Sequence, residues 1–252
     1  MGQLLAGLAA AGIEDVKEDG DFLGGFGVLE SGVVDTTIEL AYVTVADGGA
    51  KALNCTFKTT DGRTLRQQFW MTSGTAKGCL PYFVNQKTLE KKFLPGYTIA
   101  SHICLLAAGK RIATLPTEDK VINLYSYKES KEVMTKVDMV VDLLGKPITL
   151  GVIKQLVDKT KATGETDANG KAVYVATGET RAENEVDKVF RTRDGLTVAE
   201  ITAKATEAKF KGQWAAKWEG QVRDKSTKSA GAAGTAGKFT PPAAAKADEL
   251  FA

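Results

Sequence analysis

The sequence predicts a mainly β fold with a smaller helical component. Three observations carry this: short runs whose side chains alternate between two faces, glycine-containing turn signals between them, and few stretches with helical spacing. Residues 2–12 suit a short helix, and the acidic, glycine-rich stretch 20–32 an extended arm. A strand follows at 36–45, with Ile38, Leu40 and Tyr42 on one face. Asp47-Gly48-Gly49 then turns the chain into a strand at 50–59, and Asp61-Gly62 signals a tight hairpin into a strand at 63–71. Residues 36–71 therefore read as a three-stranded meander.

Residues 73–98 are basic and loop-rich. Ile99, Ile103 and Leu106 recur at helical spacing, which predicts a helix over 97–108. Strands are expected at 119–128, 133–143 and 147–158, a polar turn at 163–171 and a short strand at 172–176. The pattern from Thr197 to Arg223 is helical, opened by Thr197 as cap with Glu200 three residues later. Its stripe Phe210, Trp214, Trp218 and Val222 reads as a packing face. Residues 226–247 are almost wholly Ala, Gly, Pro, Ser, Thr and Lys, a composition that cannot offset the entropy of ordering. The expected organisation is one folded domain over 1–225 and a disordered linker and tip over 226–252.

Composition narrows the function classes. The net charge of +2 conceals a balance of −8 over residues 1–50 and +8 over residues 51–111. A basic segment of that size is the footprint expected of a polyanion partner. No apolar run approaches the roughly 18 residues that span a bilayer. The apolar start has no basic leader, Ala6 breaks the myristoylation pattern, and three scattered cysteines do not form a secreted disulfide framework. A cytosolic protein without a membrane partner is expected.

Catalytic signals are weak. The single histidine, His102, lies in an apolar helical stretch, and there is no phosphate-binding loop, dinucleotide fingerprint or nucleophile elbow. Cys55, Cys79, His102 and Cys104 are a chemically reasonable zinc set, but they lack the close Cys-x₂₋₄-Cys spacing of structural sites. The reading is therefore no enzyme, no cofactor and no metal.

The stronger signal is the chemistry of strand faces. In 63–71, Leu65, Phe69 and Met71 point one way and Arg66, Gln68 and Trp70 the other. An indole beside a guanidinium on an open strand suits sequence-tolerant single-strand binding, one stacking a base and the other holding a phosphate. In 119–128, Ile122 and Leu124 face inward, with Asn123, Tyr125 and Tyr127 outward. Arg63 at the hairpin, and Lys77, Tyr82, Phe83, Lys87, Lys91 and Lys92 in the basic loops, complete the expected groove.

These residues resemble the replicative single-stranded-DNA-binding proteins of tailed bacteriophages, most closely those of small podoviruses, over about residues 25–220. The likeness lies in the acidic glycine-rich arm, the basic aromatic strands, Leu94-Pro95-Gly96, Leu144-Gly145-Lys146-Pro147 and the stretch Glu179-Thr180-Arg181-Ala182-Glu183-Asn184-Glu185. The resemblance implies an oligonucleotide/oligosaccharide-binding (OB) antiparallel barrel, here with extra strands and helices, and single-stranded DNA as ligand during phage replication, recombination and repair in the host cytoplasm. It also implies a tail tip, Asp248, Glu249, Leu250 and Phe251, that docks onto replication or recombination proteins. Here the tip carries only two acids and ends in an additional Ala252. Self-association on DNA is compatible with this reading. The competing expectation is a β-rich virion-structural or assembly protein whose acidic arm and basic body are complementary subunit surfaces.

Overall fold

A computed structural model describes residues 27–126, 129–166 and 172–227. The expected helix at 2–12, most of the arm, Tyr127, linker residues 228–247 and the tip Asp248, Glu249, Leu250 and Phe251 lie outside the described residues.

The fold is mainly β. The expected meander is present as β1 (Gly32–Val45), β2 (Lys51–Thr59) and β3 (Thr64–Trp70), paired antiparallel. Gly62, at φ 86°, supplies the left-handed conformation that the β2–β3 turn needs. A separate ribbon joins β4 (Tyr82–Val84) to β5 (Lys91–Phe93). It leads into helix α1 (Pro95–Ile103), which a π-helical turn at Cys104–Ala108 extends, matching the expected helix. Strands β6 (Glu118–Ser126) and β7 (Lys131–Met139) form a hairpin, as do β8 (Pro147–Thr166) and β9 (Ala172–Phe190).

Across the sheet the order is β9–β8–β1–β2–β3, and β7 meets β1 beyond the end of β8, through Tyr42 and Val43. The inner face of this curled sheet carries Ile38, Phe57, Phe69, Leu150 and Val152, and α1 contributes Ala100 and Ile103 to the same core. The expected closed barrel is not formed. β3 and β9 are the edges that would have to meet, and among the described residues no ladder joins them; instead the Val186 amide donates to Gln67 Oε1 at 3.3 Å. Beside this seam runs the chain ahead of β1. Buried Leu29 donates its N–H to Asn184 Oδ1 and accepts from Asn184 Nδ2, both at 2.7 Å. One side-chain amide thus does locally what a strand partner would do.

Three expectations are corrected. First, Ile38, Leu40 and Tyr42 do not share a face. Ile38 pairs with Phe57 and Leu40 with Thr56, so Glu39 is an additional residue, a β-bulge. Beyond it Ala41 is buried and Val43 packs on the core, while Tyr42 turns to the outer face. Second, β9 is not a five-residue strand but 19 residues, paired with a 20-residue β8. Its middle is exposed on both faces, so it lacks the alternation that marks a half-buried strand. Third, the helix expected over 197–223 is broken into α2 (Val198–Thr202) and α3 (Lys209–Trp218), followed by a short strand β10 (Val222–Asp224) parallel to β8. Lys204 at φ 56° stops α2, and Glu200 accepts from both the Thr197 and Phe210 amides, tying the start of α3 to the expected capping box.

The helical stripe packs as expected at its centre. Trp214 is buried with Ile153 and Phe190 in a second core on the outer face of β8. Its ring lies so close to Gly151 that a Cβ there would sit 3.0 Å from it. Phe210 stays at the exposed rim, and Val222 belongs to β10.

Asn184→Ala removes both bonds to a buried Leu29 backbone, and two orphaned groups cost about 1–3 kcal/mol each. A lowered urea midpoint with an unchanged m-value is the expected result; an unchanged midpoint would show that Leu29 is not held by this clamp.

Candidate nucleic-acid interface

The outer face of the meander collects polar and aromatic side chains in register. Cross-strand rows run Leu40–Thr56–Arg66, Tyr42–Asn54–Gln68 and Thr44–Ala52–Trp70. The alternation expected of β3 holds: Leu65, Phe69 and Met71 are buried, while Arg66, Gln68 and Trp70 are exposed. Trp70 is 44% exposed beside the small Ala52, leaving its ring accessible at the end of β3. Asn54 Nδ2 donates to Thr44 Oγ1 at 2.9 Å, and Gln68 Nε2 donates to Asn54 Oδ1 at 3.0 Å, so the middle row is tied down. Tyr42, with Leu40, stands on the face opposite Ile38, not beside it as the sequence suggested. Burial raises its phenol above the ordinary value, and the neighbouring Arg66 guanidinium pulls it part of the way back.

At the Trp70 end the sheet meets the β4–β5 ribbon. The N-terminus of α1 abuts β3, and a Cβ on Gly96 would lie 2.3 Å from the Trp70 carbonyl oxygen. Only glycine allows this approach, which gives Leu94-Pro95-Gly96 a packing role. Phe93, 59% exposed, stacks on Tyr97 with ring centroids 4.9 Å apart. Phe93 and Trp70 line one cleft of about 510 Å³, walled on the far side by Asp187 and Lys188 of β9. Phe93 was not singled out from the sequence; its signal was the Lys91-Lys92-Phe93 alternation inside a segment read as loop.

The basic groups divide by whether an acid already holds them. Arg63 is bound in its own turn by Asp61, Nε to Oδ2 at 2.7 Å, and that guanidinium, with Thr59, lowers the Asp61 carboxyl to about 2. Lys58 pairs with Glu39 at 3.2 Å and Lys92 with Glu90 at 3.9 Å. Lys91 lies over the Tyr82 ring, 4.9 Å from its centroid. Arg66, Lys77 and Lys87 have no carboxylate within ion-pair distance among the described residues. The acids beside the cleft are already engaged. Burial opposes ionisation of Asp187, but bonds from Trp214 Nε1, Lys188 and Arg223 hold its carboxyl below the usual range. Glu185 accepts from Arg223 and Lys225.

No protein-family model matches the chain, and no curated protein does. The site must therefore be read from its own geometry. Arg66, Gln68 and Trp70 come together as expected, joined by Tyr42, with Tyr82, Lys87, Lys91 and Lys92 on the adjoining ribbon and Lys77 in a loop docked on the β1–β2 turn through Thr75 and Gly48. Tyr125 is not brought to them. It pairs with Glu132, seven residues from the Met139–Tyr42 pair that anchors the β6–β7 hairpin, about 23 Å along an extended strand. Tyr127 and the tip residues 248–251 lie outside the described residues.

Cys55 and Cys104 are neighbours in the core, and Cys79 does not join them in a metal-binding group. Cys55 and Cys104 are core residues whose thiols burial pushes up, Cys104 to about 12, whereas Cys79 is half-buried on a loop. Among the described residues, no group of three or more His, Cys, Asp or Glu could hold a metal ion, and no helix is long and apolar enough to cross a membrane. His102 is a half-buried helix residue, its pKa lowered by burial and by Lys188.

Gly96→Ala forces the Trp70 backbone away from α1. Such overpacking costs about 1–3 kcal/mol, and the near-ultraviolet circular dichroism of Trp70 should change with it; an unaltered spectrum and melting temperature would contradict the close approach. Carbon-detected NMR titration should find Asp61 with a midpoint near 2. Because the folded value is depressed, the Asp61–Arg63 pair stabilises the turn above about pH 4, and that contribution disappears as pH falls toward 2. A midpoint near 4 would mean that the pair does not persist in solution.

Proposed function

We propose that this chain is a non-catalytic single-stranded-DNA-binding protein built on an OB-type sheet. One observation carries the reading: Arg66, Gln68 and Trp70 open outward on a single strand, with Tyr42 beside them and lysine-bearing aromatic ribbons at one end. Aromatic faces stack any base and unpaired cations follow any backbone, so the combination favours single strands with little sequence preference. A duplex hides its base faces and gains nothing from Trp70 or Phe93.

The topology supports an OB-type assignment. A β1–β2–β3 meander is followed, after the β4–β5 ribbon, by a helix, and beyond an inserted β6–β7 hairpin the β8–β9 hairpin returns to β1. β3 and β9 run in the same direction along the seam, as the pairings of β1 with β2 and β8 require. Binding on β2, β3 and the flanking loops is the usual location for such a sheet. The resemblance to phage replicative proteins extends the proposal to DNA replication, recombination and repair in an infected bacterium, with Asp248, Glu249, Leu250 and Phe251 as the contact for partner proteins.

Fluorescence titration with poly-dT, and competition by duplex DNA at two salt concentrations, tests the reading. Trp70→Ala should weaken binding by about 1–3 kcal/mol with little change in salt dependence. Lys91→Ala should instead lower the salt slope by about 0.7 for each phosphate that is no longer neutralised. Equal affinity of Trp70→Ala and the parent for poly-dT, or equal affinity of the parent for single strand and duplex, would overturn the proposal.

A further inference from the structure

We infer that the depression between Tyr42 and Arg66 is a subsite that reads one base of the bound strand and favours guanine or cytosine, an inference that rests on the single-strand reading above. The depression encloses about 350 Å³ on the outer face of the meander, lined by Tyr42, Asn54, Thr56, Arg66 and Gln68. That is room for one unstacked base on the face where Trp70 stands.

The polarity of the lining groups decides which base fits. An amide side chain that offers both its oxygen and its nitrogen pairs with adenine. Asn54 is held between its neighbours, one Nδ2 hydrogen going to Thr44 and its Oδ1 accepting from Gln68. Gln68 gives one Nε2 hydrogen to Asn54, so neither amide is free to turn and offer both groups to a base, while Gln68 Oε1 stays an acceptor. Arg66 brings a planar fork of donors, with no carboxylate among the described residues to occupy it. Arg66 and Gln68 together therefore present two parallel donors and one acceptor.

Guanine and cytosine match that set. Guanine offers O6 and N7 as adjacent acceptors for a guanidinium fork and its N2 amine as a donor for Gln68 Oε1. An unpaired cytosine offers O2 and N3 as the adjacent acceptors and its N4 amine as the donor. Adenine and thymine offer the fork no two adjacent acceptors. Tyr42 supplies the face beside which the base lies. Its half-buried ring is fixed by the sheet, and its hydroxyl senses the Arg66 charge, which places the two groups together. The remaining contacts, at Trp70, Phe93 and the ribbon lysines, stay indifferent to sequence. Binding then tolerates any strand but settles in the register that seats a guanine or a cytosine.

The test uses the full chain with a short oligo-dT and the same oligomer carrying one central dG, dA or dC, read by fluorescence anisotropy. The dG and dC oligomers should bind on the order of tenfold more tightly than oligo-dT, the effect of one bidentate pair. The dA oligomer should show no such gain. Arg66→Lys keeps a charge but removes the fork, and should bring the dG-to-dT and dC-to-dT affinity ratios to about one. Gln68→Ala, which removes the acceptor, should lower both ratios in part. Equal binding of the four oligomers by the parent, a preference for dA, or a dG or dC preference that survives Arg66→Lys would overturn the inference while leaving the single-strand reading intact. No binding to any oligomer, oligo-dT included, would overturn both.

Discussion

The additional residue in β1 is the constraint on which the candidate site depends. A strand alternates with period two, so one inserted residue exchanges every later side chain between core and surface. At Glu39 this exchange keeps Ile38 in the core, sends Ala41 and Val43 after it, and delivers Tyr42 to the outer face opposite Asn54. The inner side receives small Ala41 opposite Cys55, which suits the tightly curled interior. The bulged residue itself is not idle, since its carboxylate pairs with Lys58 on the neighbouring strand. The β2–β3 pairing already aligns Asn54, Gln68 and Arg66 on the outer face, and that insertion brings the half-buried phenol of Tyr42, and Thr44, into register with them.

Charge is sorted with similar economy. Acids near the seam are saturated by cations of the C-terminal segment: Glu185 by Arg223 and Lys225, Asp187 by Arg223 and the Trp214 indole. Arg223 also lies over the Trp218 ring at 4.8 Å, so the contacts that neutralise the cleft wall hold α3 and β10 against the sheet. On the opposite side Arg66, Lys77 and Lys87 keep their charges available to solvent. Exposed ion pairs contribute little stability; here their consequence is that the free positive potential is left over β3 and the β4–β5 ribbon.

What could be read from the sequence follows from how local each signal is. The meander, α1 and the two faces of β3 were legible because turn chemistry and alternation specify them within a few residues. Tyr42 was not, because Leu40-Ala41-Tyr42-Val43 is apolar on both faces and nothing local announces a bulge. The length of β9 was hidden because an arm solvated on both faces has no period to detect. The break between α2 and α3 was hidden because Glu200, correctly read as part of a cap, also serves the Phe210 amide ten residues on. Tyr125 shows the converse: its face was read properly, yet only the pairing of β7 with β1 reveals how far its hairpin carries it from Trp70.

The clamp between Leu29 and Asn184 joins residues 155 positions apart in the chain. Contacts of such separation form late, since the loop they close must first be organised. During synthesis β1, β2 and β3 emerge early, with Phe57 and Phe69 on an uncovered face, and wait for most of the polypeptide before β8 and β9 can shield them. The ribosome-bound chain therefore passes through a stage with an open, sticky half-sheet. Slow translation or a stalled ribosome leaves that surface to chaperones for longer than the finished fold would suggest.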